Sequence, residues 1–238
     1  MPSPIAFIIP ALNEEAALPI MLDGLRAALD AATCADADIV VVDNGSRDAT
    51  PAVARKHGAR VVSEPRRGYG QACLAGIAAL SSDAEIVVFL DADGSDDPED
   101  LTRLLDPVRQ GVAELALGSR TAAARTAGAF TPQQAFGNWL ATGLMRALIG
   151  ARYTDLGPFR VIRRAALERL QMRDTNFGWT IEMQIKAHRR GLQVVEIPVN
   201  YRKRIAGASK ISGSLLGTLR AGRKILWTIA KYGFSPDL

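Results

Sequence analysis

Short apolar runs and amphipathic stretches alternate along the first half of the chain. The apolar runs are Ile5–Pro10, Asp38–Asp43, Ala59–Glu64, Glu85–Asp91 and Glu114–Ser119. After the first run, leucines recur at helical spacing from Leu18 to Leu29. Strands of a parallel sheet are buried on both faces and therefore form continuous apolar runs. The pattern predicts an α/β fold with a mostly parallel central sheet flanked by helices.

Further helices and strands are predicted from spacing and end signals. The helices are Asp48–His57, Gly70–Leu80, Pro98–Arg109, Pro132–Ile149, Ala165–Leu170, Trp179–Arg190 and Leu215–Tyr232. Pro98 suits the first turn of a helix, and Gly191 suits the residue that follows one. Pro158–Arg164 is predicted as a strand and Leu192–Arg204 as extended, whereas residues 121–128 and 205–214 are predicted as loops.

Length and composition are typical of a globular protein with one large domain or two small ones. The chain has 238 residues, of which 48% are hydrophobic. The N-terminus lacks the basic region and apolar run of a signal peptide. No window approaches the roughly 18 apolar residues of a spanning helix. Cys34 and Cys73 form no ligand pattern, so a reduced, cytoplasmic protein is predicted.

Charge is divided unevenly along the chain. Residues 1–119 hold 9 Lys and Arg against 19 Asp and Glu, and residues 120–238 hold 20 against 6. This asymmetry suggests that the first half holds a cation and that the second half meets anions. The basic half has no recognisable nucleic-acid module and few interleaved aromatic residues, so no nucleic-acid partner is predicted. A phosphorylated small molecule or an anionic membrane surface fits this half at least as well.

Polar side chains follow the predicted strands at the point where each strand ends. They are Asn13, Glu14, Asp43, Asp91, Asp93, Ser119 and Arg120. In parallel α/β sheets, ligands bind beyond the carboxyl ends of the strands. The sequence therefore predicts a binding site at this edge of the sheet.

Asp91 and Asp93 end the fourth strand in the stretch VVFLDADGSDDPED. Two residues apart on an extended segment, their carboxylates lie on one side. Close carboxylates repel each other unless a cation neutralises them, and hard oxygen ligands suit Mg²⁺ or Mn²⁺. The alternative is a solvated acidic loop that caps the helix at Pro98, above all for Asp96 and Asp97.

The stretch RRGYGQACLAG places Gly68, Gly70 and Gly76 after the third strand. A dinucleotide-binding glycine loop follows the first strand and has another spacing, so that interpretation is rejected. We expect a loop whose backbone approaches a ligand, with Gly68 as a binding residue, and a helix N-terminus that favours a phosphate.

Four motifs together carry a family resemblance. PALNEE, VVDNGSRDAT, RRGYGQA and FLDADGSDDP, in this order and at these intervals, resemble the family 2 inverting glycosyltransferases, which have the glycosyltransferase-A fold. YRKRIAGASK is similar to a segment of the polyprenyl-phosphate sugar transferases within that family. The resemblance covers most of the chain, to Ile211. It implies a nucleotide-sugar-binding half at residues 1–120, an acceptor-binding half at 121–212 and a basic amphipathic helix at 213–238.

The resemblance also implies roles for individual residues. Contacts with the donor nucleotide are implied for Pro10, Ala11, Asn13, Glu14 and Asp43, and a contact with the ribose or the metal for Asp91. Asp93 would ligate Mg²⁺ or Mn²⁺ on the diphosphate, and Arg120 would steady phosphate charge near the reacting centre. A loop that closes over the diphosphate or the acceptor phosphate would carry Arg202, Arg204, Ser209 and Lys210.

Three residues leave alternatives open. Asn44 stands where the family commonly has a second Asp, which puts a ribose contact in doubt. Glu182, in GWTIEMQ, lies in the region where relatives with a hydroxyl acceptor carry a catalytic acid. It is equally an acid that the helix dipole favours at a helix N-terminus. Asp155 is a candidate for a sugar contact or for a turn cap.

The last predicted helix has an apolar face and a basic face. Leu215, Leu219, Leu226 and Ile229 share the apolar face; Arg220, Arg223, Lys224 and Lys231 lie opposite, with Leu216 and Trp227 among them. A basic face with an embedded Trp suits a membrane interface. Packing of this helix on the catalytic domain is the alternative.

The leading hypothesis is transfer of a hexose, with inversion, from a GDP- or UDP-linked sugar to a polyprenyl phosphate. Such an enzyme would work in the cytoplasm or peripherally at the inner face of the membrane, as a monomer or a homo-oligomer. A first alternative has the same donor and a hydroxyl acceptor, a lipid or a small polyol, with Glu182 as the base. A second is a sugar-nucleotide-binding protein without catalytic activity.

Overall fold

A computed structural model describes residues 5–120, 126, 128–206 and 215–234 of the chain. In this part, one sheet has the strand order β3-β2-β1-β4-β6-β5-β7. The strands are β1 Ile5–Ala11, β2 Asp38–Asp43, β3 Arg60–Ser63, β4 Ile86–Phe89, β5 Leu115–Ser119, β6 Arg160–Arg163 and β7 Val194–Pro198. Strand β6 runs antiparallel to β4 and β5, and the other neighbours are parallel. The predicted α/β class with a mostly parallel sheet is confirmed.

Helices cover both faces of the sheet. They are α1 Leu18–Ala31, α2 Thr50–Lys56, α3 Tyr69–Ala78, α4 Leu101–Arg109, α5 Pro132–Ile149, α6 Arg164–Leu170, α7 Trp179–Arg189 and α8 Leu215–Phe234. A 3₁₀ turn, Pro98–Asp100, precedes α4, and the Asp97 carboxylate caps it by accepting the Glu99 N–H at 3.2 Å. The predicted helix from Pro98 therefore opens as a tighter turn before it becomes α-helical.

The two faces of the sheet bury separate apolar clusters. Phe7 and Ile9 of β1 pack with α1 and α4, whereas Ile8 packs with α3, α6 and α7 on the opposite face. This alternation follows from the period of two along a strand. Because both faces are covered, β1 and β4 consist almost entirely of apolar residues.

Helix α8 packs on the rest of the domain through one face only. Its Ile229 and Tyr232 are buried in a third cluster with residues of α5 and α7, whereas Trp227 is 50% exposed. Leu226, predicted to share one apolar face with Ile229, is also exposed. Of the helices that the structure describes, none is both long and apolar enough to span a bilayer.

Strand β7 ends earlier than the predicted extended segment Leu192–Arg204. Pro198 is its last residue, opposite Ser119 of β5, and it has no N–H to continue the ladder. The chain then crosses the loop after β4: Arg202 N–H donates to the Ser95 carbonyl at 2.8 Å, and Ile205 N–H donates to the Asp93 carbonyl at 3.1 Å. This crossing brings a basic segment onto an acidic loop.

Candidate active site

A cleft of about 330 Å³ lies at the carboxyl edge of the parallel strands. Of the predicted site residues that the structure describes, seven line it: Pro10, Ala11, Glu14, Gly68, Asp91, Asp93 and Arg204. They come from the ends of β1 and β4, from the loop before α3 and from the segment after β7. The edge predicted from strand-end polar residues therefore carries a cleft.

Arg204 joins two sides of the cleft. Its Nη2 lies 2.6 Å from Glu14 Oε1, and its Nη1 lies 2.8 Å from Asp93 Oδ2. Glu14 is itself fixed after β1, because its N–H donates to Thr50 Oγ1 at 2.8 Å. The guanidinium thus places a positive charge among the carboxylates of the cleft. A bound diphosphate would compete with these carboxylates for the guanidinium, and a divalent cation would compete with the guanidinium for the carboxylates.

The floor of the cleft concentrates carboxylates after β4. Burial and then repulsion by Asp93 raise the pKa of Asp91 to about 7. Burial and the charges of Asp91 and Asp93 likewise raise the pKa of Asp96 well above its usual value. Asp93 is fixed, since its Oδ1 accepts the Ser95 N–H at 2.9 Å and the Ser95 hydroxyl at 2.6 Å. Asp93 is thus paired with Arg204 and Ser95, whereas burial disfavours the charged forms of Asp91 and Asp96 in spite of the nearby arginines.

The donor set at this floor fits a hard divalent cation. It consists of carboxylate oxygens alone, and Asp96 Oδ1 is buried without a hydrogen-bond partner. Among the described residues, no three His, Cys, Asp or Glu side chains form a complete metal site. Mg²⁺ commonly takes one or two carboxylates together with substrate phosphate oxygens, so Asp91 and Asp93 suit an ion shared with a diphosphate.

Asn44, at the end of β2, organises the loop before α3. Its Nδ2 donates to the carbonyls of Glu64 and Arg66 at 2.9 and 2.8 Å, and its Oδ1 accepts the Gly68 N–H at 2.8 Å. Gly68 has φ +147°, and a side chain there would overlap the Thr175 carbonyl. The loop backbone at Gly68 is predicted from the sequence to lie close to a ligand. It borders the cleft, and it also lies close to the backbone at Thr175.

Arg120 and Asp155 form a partly buried ion pair beside the cleft. Arg120 Nε and Nη2 donate to the two Asp155 carboxylate oxygens at 2.7 and 2.9 Å. Burial alone would raise the pKa of Asp155, but Arg120 and its hydrogen bonds lower the pKa overall. The Arg120 guanidinium also stacks over Phe130 and Tyr201, at 4.8 and 5.0 Å from the ring centres. Asp155 thus orients Arg120, and the role of Arg120 at phosphate stays a prediction.

Asn13, Asp43 and Arg202 belong to the surroundings of the cleft. Asn13 Oδ1 accepts the Arg47 N–H at 2.8 Å, and Asp43 Oδ1 accepts the Ser46 N–H at 3.0 Å. Both side chains shape the loop after β2. Arg202 pairs with Asp97. Their predicted substrate contacts remain predictions, and Ser209 and Lys210 lie outside the described residues.

The sequence leaves Glu182 open between a catalytic acid and an acid favoured at a helix N-terminus, and Glu182 is not among the residues that line the cleft. It is 0% exposed and lies 2.6 Å from Lys186 Nζ within α7. Its carboxylate also accepts the N–H groups of Arg173 at 2.9 Å and Asp174 at 2.6 Å. An acid held by an ion pair and two amides is already engaged, so its role as a base has no geometric support.

Several lining residues escaped the sequence-based prediction, whereas the sequence singles out Asn44 with its ribose contact in doubt. The residues that escaped are Leu12, Arg67, Tyr69, Ala72, Ala92, Asn176 and Phe177. Leu12, Tyr69 and Ala92 adjoin predicted residues, so proximity to the motifs could have found them. Asn176 and Phe177 precede α7 in a stretch without a recognisable motif, and only the fold brings them to the cleft.

Comparison with known proteins places the chain in a family. Residues 6–171 match Glycosyl transferase family 2. This chain belongs to glycosyltransferase family 2. The match spans β1 to α6 and so includes Asp91, Asp93 and Arg120. Its predicted glycosyltransferase-A fold is shown as well.

Relatives and solved structures extend this assignment. The chain is 39% identical to an uncharacterised glycosyltransferase of Mycobacterium tuberculosis, over 91% of this chain and 94% of the relative. It is 32% identical to polyprenol monophosphomannose synthase of Mycolicibacterium smegmatis, over 97% and 87%. The structure of glucosyl-3-phosphoglycerate synthase from M. tuberculosis with Mn²⁺, UDP and glucosyl-3-phosphoglycerate superposes with a TM-score of 0.77 at 26% identity, covering 99% of this chain and 81% of that one.

Proposed function

We propose that this family 2 glycosyltransferase transfers a hexose from a nucleotide diphosphate sugar to a polyprenyl phosphate, with inversion at the anomeric carbon. The observation that carries the donor half is the cleft in which Asp91, Asp93 and Arg204 meet. The similar glucosyl-3-phosphoglycerate synthase was solved with Mn²⁺ and UDP. The acceptor half is supported by the similar polyprenol monophosphomannose synthase.

Donor binding would use charges of both signs. Asp91 and Asp93 would hold Mg²⁺ or Mn²⁺, and the ion would neutralise the diphosphate as it leaves. Arg204, whose guanidinium already reaches Asp93 at 2.8 Å, would donate hydrogen bonds to the diphosphate. The loop at Gly68 and the side chain of Phe177 would bound the nucleotide within the cleft. Positive groups in a site shielded from water stabilise developing phosphate charge strongly.

A phosphate acceptor suits the remaining groups better than a hydroxyl acceptor. A phosphate monoester is largely dianionic near neutral pH, since its second pKa is about 6. It therefore needs cations to hold it and no base to deprotonate it. Arg120, oriented by Asp155 at 2.7 Å, is a candidate for this contact. The engagement of Glu182 with Lys186 agrees with an acceptor that needs no base.

The membrane surface is the proposed place of reaction. The outward side of α8 exposes Leu226 and Trp227 among the basic residues Arg223 and Lys231. Such a face suits an anionic lipid interface, where apolar groups insert and cations meet headgroups. A protein docked in this way can meet a lipid-linked phosphate at the bilayer without crossing it.

The donor half is tested by calorimetric titration of UDP- and GDP-sugars with and without Mn²⁺. We expect Mn²⁺-dependent binding of one nucleotide class, and at least about tenfold weaker binding by Asp93→Asn, because a ligand of the ion is lost. Asp83→Asn is the matched control, since Asp83 is an exposed acid before the amino end of β4. Wild-type affinity in Asp93→Asn would overturn the metal assignment.

The acceptor half is tested by supplying labelled donor with polyprenyl phosphate or with the corresponding polyprenol. Transfer to the phosphate alone is the expected result. Transfer to the alcohol alone would favour the hydroxyl acceptor. Tight donor binding with neither transfer nor donor hydrolysis would instead indicate a sugar-nucleotide-binding protein.

A further inference from the structure

One wall of the cleft is a segment without regular secondary structure. We call residues 173–178, between α6 and α7, the cleft wall; Asn176 and Phe177 of this wall line the cleft. On its inner side, the Thr175 carbonyl accepts the Gln71 N–H at 2.9 Å. A side chain at Gly70 would overlap the Asp174 carbonyl. The wall thus packs backbone to backbone against the start of α3.

A buried ion pair in α7 supports the wall from below. Glu182 and Lys186 are 0% and 1% exposed and lie 2.6 Å apart. The Glu182 carboxylate accepts the N–H groups of Arg173 and Asp174, while Lys186 Nζ donates to the Gln171 carbonyl at 2.6 Å. The backbone of the first two wall residues, Arg173 and Asp174, is therefore hydrogen-bonded to the charged Glu182 side chain of α7.

Helix α8 holds the wall from outside. Lys224 Nζ lies 2.6 Å from Asp174 Oδ2, and Asp174 Oδ1 accepts the Asn176 N–H at 2.8 Å. Thr228 is fully buried, and a side chain on Gly178 would overlap its hydroxyl. An unbroken series of contacts thus runs from α8 through Asp174 to a residue that lines the cleft.

A third residue of α8 reaches the support of the wall. Tyr232 is buried, and burial together with the charge of Glu182 raises the pKa of its phenol. Lys186 Nζ also lies 5.0 Å from the centre of the Tyr232 ring. Lys224, Thr228 and Tyr232 are spaced by four residues, so they share one side of the helix.

We propose that Lys224, Thr228 and Tyr232 are positioning residues for the cleft wall. This makes α8 part of the nucleotide-binding site, although none of the side chains described on α8 lines the cleft. The proposal rests on the proposed function in one respect, the binding of a nucleotide in the cleft. Asp174 is only 1% exposed as a side chain. Removing Lys224 would leave this buried carboxylate without its cation, and a buried charge that loses its ion-pair partner forces its surroundings to rearrange.

The test compares full-length wild type with Lys224→Gln, Lys224→Arg and Arg223→Gln. Arg223 is the adjacent exposed cation of α8, so its replacement removes the same charge without touching the wall. UDP and GDP are titrated with Mn²⁺ by calorimetry. Lys224→Gln should raise the Kd of the nucleotide that binds at least about fivefold. Lys224→Arg and Arg223→Gln should keep wild-type affinity.

Hydrogen exchange provides a second readout that does not require nucleotide. The amides of Arg173, Asp174 and Asn176 should exchange about tenfold faster in Lys224→Gln than in wild type, because the contacts that close over them loosen. The amides of β1 should be unchanged, which shows that the fold is intact. Arg223→Gln should exchange as wild type does.

The outcomes separate this proposal from the proposed function. Unchanged exchange at the wall in Lys224→Gln would overturn the positioning role, as would wild-type nucleotide affinity in that variant. If the wild type binds neither UDP nor GDP, the proposed function fails. Hydrogen exchange of the wall amides in Lys224→Gln then still decides whether α8 positions the wall. The proposal is supported if Lys224→Gln shows both faster exchange at the wall and weaker nucleotide binding, while Lys224→Arg and Arg223→Gln show neither.

Discussion

Asn44 illustrates at the scale of one residue how a departure from a family pattern can have a structural reason. Its amide faces two carbonyl acceptors, those of Glu64 and Arg66, and one donor, the Gly68 N–H. A carboxylate has the same shape but can only accept hydrogen bonds when it is ionised. At position 44, where the family commonly has Asp, this chain therefore needs the amide of Asn44 to hold the loop before α3.

Replacing Asn44 by Asp should disrupt the loop before α3. A carboxylate would lose both donated bonds and face the two carbonyl oxygens, which we expect to cost about 2 kcal/mol of unfolding free energy. Nucleotide affinity should fall too, since the loop carries Gly68 of the cleft. Urea denaturation and calorimetry measure the two effects. Gln110→Glu, the same chemical change at an exposed residue, is the control, and equal behaviour of both variants would refute this role.

At the scale of an element, Gly76 sets how closely α3 approaches the sheet. A methyl group there would overlap Ile8 Cγ2 of β1 and lie 3.1 Å from Val42 Cγ2 of β2. Ile8 is fully buried and β-branched, so its methyl group has little freedom to move. The N-terminus of α3 borders the cleft, and its distance from the sheet therefore influences the position of Tyr69.

Gly76→Ala should destabilise the protein although alanine is the better helix former. Overpacking against β1 should lower the free energy of unfolding by about 2 kcal/mol. Gly143→Ala is the matched control within α5, because nothing lies within 4 Å of its added methyl group. There the same change should stabilise by about 0.5–1 kcal/mol. Thermal and urea unfolding of both variants measure this difference, and a shift of the same sign in both would contradict the packing argument.

The sequence predicts those elements whose signals are local. The apolar run Asp38–Asp43 coincides with β2 and Pro132–Ile149 coincides with α5, because continuous burial and a Thr-Pro start leave clear patterns. The end of β7 and the cleft wall depend on partners far away in sequence. Arg202 bonds to Ser95, and Gln71 bonds to Thr175. Likewise, periodicity cannot show whether Glu182 meets Lys186 or a substrate.

At the scale of the whole molecule, α5 and α8 form an outer layer that exposes large apolar side chains to solvent. Both pack inward on α7 through a shared cluster. The Phe136 and Trp139 rings of α5 lie 5.8 Å apart and are 61% and 67% exposed. On α8, the exposed Lys231 places its ammonium group 4.8 Å from the centre of the Trp227 ring. Aromatic groups beside cations are what an anionic interface would accept.

Vesicle binding tests this layer in the intact protein. We expect the full chain to sediment with vesicles that contain anionic phospholipid but not with neutral ones, and to dissociate as salt rises from about 0.05 to 0.5 M, since salt screens exposed charges. Trp227→Ala should weaken binding about tenfold by removing inserted apolar surface. Ile20→Ala, which shortens an apolar residue of α1 that is slightly more exposed than Trp227, should not weaken binding. Equal binding to neutral vesicles, or wild-type binding by Trp227→Ala, would refute docking through α8.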